Sequence, residues 1–302
     1  EGAAANEISR VYGILNGTCN YILTTMESEG RGFDDVLADA QAMGYAEADP
    51  SFDVDGVDAA HKLSILSSLA FGTRIDFGGV ETSGIRAIMA GDIAEARALG
   101  FRVRLVGLAE TMDGALLQRV VPSLVPVSHP LAHVAGAMNA VVAEGNYVGR
   151  LLFEGRGAGE GPTASAVVGD LIDIARGEAG PAFAMPVASL ADSPRGNWGG
   201  REGRFYMRFI VADRTGVLAE LTAAMRDALV ARWHLRGAAR VLYDRPGPSF
   251  RALDGAERAA RVRTIEREEI ASHLHDSVLQ TLALIQKQSA DGAAVKRLAR
   301  SQ

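Results

Sequence analysis

The chain has 302 residues, of which 48% are hydrophobic and 23% charged, and its formal net charge is -6. This length and composition fit a soluble protein of two domains with a buried core, and exclude a disordered chain. The acidic balance excludes a nucleic-acid partner for the chain as a whole, and no apolar run approaches the roughly 20 residues needed to span a bilayer. A single cysteine, Cys19, excludes an intrachain disulfide framework and suits a reducing cytoplasm.

The first residue is Glu1, which suggests a start inside a longer polypeptide or after processing, and the small polar residues that follow do not read as a secretory signal. Apolar residues at helical spacing predict a first helix over 18–28, stopped by Gly30. A second is predicted over 33–43, ended by Gly44, and a third over 55–70, ended by Gly72. Between the last two, 45–53 is a polar, carboxylate-rich stretch holding Pro50.

The period then changes to two. Residues 102–110 and 115–124 alternate around Asp113-Gly114 and predict an antiparallel hairpin. A second hairpin is predicted over 138–144 and 148–154, parted by Gly145-Asn146. The expected fold class is therefore α+β, an antiparallel sheet with helices on one face. The glycine-rich run 155–161 leads to Pro162, placed at a first helical position, and to a helix reaching about 175.

The first expected domain covers 1–190. Residues 177–203 read as a linker, with the domain boundary at 191–203. A strand at 204–211, a turn at Asp213-Arg214-Thr215-Gly216 and a helix at 217–229 form one βα unit without the further sheet it needs. An irregular junction follows at 231–253, and a long helical pattern occupies 254–302.

The chemistry is concentrated early. Glu47, Asp49, Asp53, Asp55 and Asp58 fall within a dozen residues, and Lys62 stands one helical turn after Asp58. The row continues to Ile65 and Leu69, which predicts that Lys62 points along a partly buried stripe. On spacing alone, a surface acid–lysine pair worth a few tenths of a kcal/mol is the plainer reading. The crowding of carboxylates suits a site that holds an ammonium group while an amine moves a proton.

Three blocks carry a family resemblance: Tyr12-Gly13-Ile14-Leu15-Asn16-Gly17-Thr18-Cys19-Asn20-Tyr21, then Met43-Gly44-Tyr45-Ala46-Glu47-Ala48-Asp49-Pro50, then Asp53-Val54-Asp55-Gly56-Val57-Asp58-Ala59-Ala60-His61-Lys62. Together, over about 6–190, they resemble homoserine dehydrogenase, with Cys19 where the family more often has Thr. The resemblance implies NAD- or NADP-dependent interconversion of aspartate semialdehyde and homoserine by a cytoplasmic homo-oligomer acting on a small molecule, and calls for no metal. It implies Lys62 as proton donor, Asp58 as its orienting partner, Glu47 and Asp53 on the substrate's ammonium and hydroxyl side, and Gly17, Thr18 and Tyr45 lining the site.

Taken by itself, the glycine-rich run is a tight strand-to-helix turn, because it lacks the spacing of the dinucleotide fingerprint. The resemblance implies that Gly157, Ala158, Gly159, Glu160, Gly161 and Thr163 approach the cofactor. It also implies a Rossmann domain, and no strand, Gly-x-Gly-x-x-Gly turn and helix stand ahead of Asn6. The 302 residues alone are therefore expected not to turn over substrate.

Residues 204–230 resemble part of an ACT regulatory domain. Residues 266–282 resemble the dimerisation and phosphoacceptor helix of sensor histidine kinases, which implies His275 as the phosphorylated residue and Asp276 as its orienting base. The plainer reading there is a polar helix with an apolar seam for self-association. Three families in one chain suggest a fused or mis-joined reading frame, and leave a signalling or interaction module built on the C-terminal helix as the second functional hypothesis.

Overall fold

The computed structural model describes residues 3, 5–178 and 180–198, with isolated positions 206, 208, 216, 217, 219, 220 and 223. The chain divides into two units, Glu1–Trp198 and Gly199–Gln302.

The first unit opens with strand β1 (Ile8–Ile14), followed by helices α1 (Gly17–Glu29), α2 (Phe33–Ala42), the short α3 (Ser51–Val54) and α4 (Val57–Phe71). Strand β2 (Val80–Thr82) and helix α5 (Ala90–Ala98) precede the hairpin β3 (Phe101–Met112) and β4 (Ala115–Pro126). The hairpin β5 (Met138–Gly145) and β6 (Gly149–Arg156) comes next, and helix α6 (Glu160–Arg176) follows it. The sheet order is β2-β4-β3-β1-β5-β6.

The glycine stops act where expected. Gly30, Gly44 and Gly72 all take positive φ, and the N–H groups of Gly30 and Gly72 close the last turns of α1 and α4 on Met26 and Ser68. At the tip of β3–β4, Asp113 and Gly114 both have positive φ, as a two-residue turn matched to strand twist requires.

Three expectations need correction. The sheet is mixed, because β2 pairs with β4 in parallel. β1 is unforeseen and central, antiparallel to both β3 and β5, and a Cβ on Gly13 would stand 2.1 Å from the Ala140 carbonyl oxygen. Helix α6 starts at Glu160, so Pro162 occupies its third position, where a missing N–H is equally harmless.

The main core lies on one face of the sheet, where Val11, Val103, Leu105, Ala109 and Val120 meet Ile22, Leu23, Val36, Leu63 and Ile93 from the helices. Helices α1, α2, α4 and α5 thus gather on one face, while α6 buries none of its residues. A smaller cluster on Ile14, Val106, Val125, Ala140 and Val142 covers the other face, joined by Leu131, Ala132 and Val134. Within 181–198, Leu190 is buried, Arg195 pairs with Asp76 and the Trp198 indole donates to the Gln118 carbonyl, so this stretch packs on the sheet unit. No helix among the described residues is long and apolar enough to cross a membrane.

In the second unit, Gly216 has φ 91 and its carbonyl accepts from Glu220 N–H at 3.0 Å, one turn of helix where a turn-to-helix transition is expected. Apart from the isolated positions, the partial ACT unit at 204–230 lies outside the described residues. So do the junction at 231–253 and the helix at 254–302 with His275 and Asp276.

Candidate active site

The site forms where β1 ends and α1 begins, against the N-terminal turns of α4. Helix α4 buries Ala59, Ala60, Leu63, Ser64, Ser67 and Ser68 against the rest of the unit. The adjacent row faces outward: Ile65 and Leu69 are each 44% exposed, which overturns the expected half-buried stripe. Lys62 instead turns sideways. Its Nζ donates to Asp58 Oδ2 at 2.7 Å and to the Leu15 carbonyl oxygen at 3.2 Å, and its side chain remains 46% exposed. An ammonium has three N–H groups, and among the described residues two of them find partners, which leaves one for a ligand.

Of the five crowded carboxylates, two converge. Asp53 and Asp58 both accept from Asn16 Nδ2, at 2.7 and 2.8 Å. Asp55 is taken by Arg86, whose guanidinium meets both of its oxygens. Asp49 accepts from Ser51 N–H at 3.1 Å, and its hydrogen bonding with Ser51 holds its carboxyl below the usual range. Glu47 is exposed, and among the described residues no hydrogen bond or ion pair joins its carboxylate to Asp53, Asp58 or Lys62. The expected ring of acids is therefore a pair.

The walls are set by backbone proximity. Thr18 Oγ1 donates to the Tyr45 carbonyl at 2.8 Å, and the half-exposed Tyr45 ring packs on Tyr21 with centroids 5.0 Å apart. A Cβ on Gly17 would stand 2.8 Å from the Ala137 carbonyl oxygen, so only glycine fits. Cys19 is fully buried and its thiol donates to the Asp53 carbonyl at 3.2 Å. Burial first, then the charges of Asp53, Asp58 and Asp55, push that thiol well above its ordinary value.

The glycine-rich loop approaches the same place. A Cβ on Gly157 would meet Asn139 Nδ2 at 2.8 Å, and that Nδ2 donates at 3.1 Å to the Leu15 carbonyl that also receives Lys62. Gly159 has φ 109, and among the described residues no side chain caps the first turn of α6, which leaves the N–H groups of Glu160 and Gly161 open to an anion. Thr163 N–H bonds the Gly159 carbonyl at 3.1 Å, while Ala158, Glu160 and Gly161 are exposed. Sequence reasoning missed Asn16 and Asn139: residue 16 registered only as one position of a family block, and residue 139 as one position of a strand.

Fold and site thus define a mixed-sheet domain that holds one half-exposed amine between a carboxylate and a main-chain carbonyl, beside an open helix start. The homoserine dehydrogenase family profile matches residues 1–172, and the chain belongs to that family. It is 44% identical over 233 residues to the homoserine dehydrogenase of Pseudomonas aeruginosa, covering 75% of this chain and 54% of that protein. It is 47% identical over 232 residues to that of Synechocystis sp., covering 73% and 53%. The crystal structure of a homoserine dehydrogenase from Thiobacillus denitrificans superposes with a TM-score of 0.66 at 44% identity, covering 76% of this chain and 54% of that one. The chain spans about half the length of the curated relatives it matches.

Proposed function

We propose that residues 1–198 form the substrate half of a homoserine dehydrogenase, which interconverts L-aspartate 4-semialdehyde and L-homoserine with NAD or NADP. The observation that carries this is the Lys62 ammonium, 2.7 Å from Asp58 and with one N–H uncommitted. Reduction of an aldehyde leaves negative charge on its oxygen, and an ammonium oriented by a carboxylate relieves that charge and gives up the proton. In the reverse direction the same amine takes the hydroxyl proton.

The remaining roles follow the geometry. Asp53, held beside Asp58 by Asn16, receives the substrate's ammonium, and Glu47 is assigned to the same side of the substrate. Gly17, Thr18 and Tyr45 shape the wall. The dinucleotide, when bound, supplies or accepts the hydride. The fit of these residues to it rests on the uncapped start of α6 and on Gly157, whose lack of a side chain lets the loop close onto Asn139. Gly157, Ala158, Gly159, Glu160, Gly161 and Thr163 would border it from the substrate side. Helix α6 leaves Val167, Val168, Leu171, Ile172 and Ile174 exposed, which suits a surface covered by a nucleotide-binding half. A homo-oligomer in the cytoplasm belongs to the same proposal.

The test joins this chain to the nucleotide-binding half of a relative and follows NADH or NADPH formation with homoserine. Turnover is expected from the joined enzyme and not from the 302 residues alone. A joined enzyme that folds and binds dinucleotide but leaves homoserine untouched would overturn the assignment.

A further inference from the structure

Asn16 is 4% exposed, and every hydrogen-bonding group on its side chain is committed. Its Oδ1 accepts from Cys19 N–H at 2.8 Å, which caps α1 and settles which way the amide faces. Its Nδ2 then spends its two hydrogens on two acids from different elements, Asp53 of α3 at 2.7 Å and Asp58 of α4 at 2.8 Å. A neutral amide is the side chain of this size that offers two donors and one acceptor without adding charge. Two carboxylates this close repel, and the shared donor, together with the Lys62 ammonium on Asp58, offsets that repulsion.

We infer that Asn16 is a positioning residue, which fixes Asp53 beside Asp58 so that the two carboxylates act as one receptor for the substrate's ammonium. The bridging leaves Asp53 Oδ2 and Asp58 Oδ1 with no hydrogen bond among the described residues, while Asp58 Oδ2 also receives Lys62. One amide thereby sets both the ammonium receptor and the orientation of the proton donor. The inference rests on the dehydrogenase reading for its ligand, but the coupling stands on geometry alone.

Capping and coupling separate by substitution. Asp caps a helix start as well as Asn does. If Asn16 only caps α1, Asn16→Asp should melt at or above the unchanged chain at every pH. If it couples the pair, Asn16→Asp sets a third carboxylate against the other two with one ammonium, Lys62, among them, so that folding favours uptake of a proton. Its melting midpoint relative to the unchanged full chain should then fall by about 5 °C or more as pH rises from 5.5 to 8.

Asn16→Ser keeps a capping oxygen and loses both donors. Calorimetric titration with L-homoserine should show at least a tenfold loss of affinity for this variant. A flat difference in midpoint for Asn16→Asp overturns the coupling, and homoserine affinity within twofold for Asn16→Ser overturns the receptor. If the joined enzyme folds and binds dinucleotide but leaves homoserine untouched while the pH signature persists, the dehydrogenase reading fails and the coupling stands.

Discussion

Lys62 Nζ lies 3.2 Å from the main-chain oxygen of Leu15, a residue 47 positions earlier at the end of the central strand. The lysine is thereby pinned to the end of the central strand as well as to its helical neighbour Asp58, and a long flexible stem acquires one direction. Lys62→Met should retain most of the stability, since the side chain is half exposed and Asp58 stays bonded to Asn16. In the joined enzyme, turnover at saturating homoserine should fall about 10²- to 10⁴-fold, the range for loss of a general acid. A loss below tenfold would show that the proton comes from elsewhere.

Gly84 holds the acid pair in place from behind. A Cβ there would stand 2.1 Å from the Val54 carbonyl oxygen and 2.4 Å from Asp55 Cα, and the next residue, Ile85, donates its N–H to the same carbonyl at 2.8 Å. Gly84→Ala must push α3 away, and with it Asp53. Denaturant melts should show a loss of about 1–3 kcal/mol, typical of overpacking, together with weaker homoserine binding. Unchanged stability would mean that the loop and α3 can part freely.

Cys19 should be inert in the folded chain. Because burial and the neighbouring acids raise its folded pKa above the unfolded value of about 8.5, its contribution is fully present below that pH and is lost as pH rises toward the folded value. A thiol reagent at pH 8 should label the chain only after denaturant is added. Rapid native labelling would place the thiol outside the core.

His129 sets an acid limit. Its Nδ1 accepts from Leu131 N–H at 3.2 Å and its Nε2 meets the Tyr12 hydroxyl at 3.1 Å, while that hydroxyl donates to Glu144. Burial first, then the Arg150 charge, lower its pKa despite Glu144. A folded value below the unfolded one of about 6.5 means that stability is complete above that pH and is lost as pH falls through the folded value. The melting midpoint should drop between pH 7 and 5, and drop less in His129→Asn, which keeps an acceptor for the Leu131 N–H. Equal pH dependence in both would assign the loss to another group.

Some of this was legible along the chain. Gly30, Gly44 and Gly72 announce helix ends because a left-handed residue is a local requirement, and Asp113-Gly114 announces its hairpin for the same reason. Lys62 and Asp58 were legible as a pair because one helical turn joins them. β1 was not, since its partners on β3 and β5 lie about a hundred residues or more away, and a seven-residue strand buried on both sides shows no clean alternation. Nor was Asn16, whose two acids stand 37 and 42 positions further on.

What the sequence by itself determined is the set of residue types, the stops and turns, and the family whose blocks it carries. Which acids act together was left to the tertiary structure, which gives Asp55 to Arg86, 31 residues on, and Asp53 with Asp58 to one buried amide. Backbone preferences act within a few residues, whereas a carboxylate's partner is whichever donor packing brings within about 3 Å.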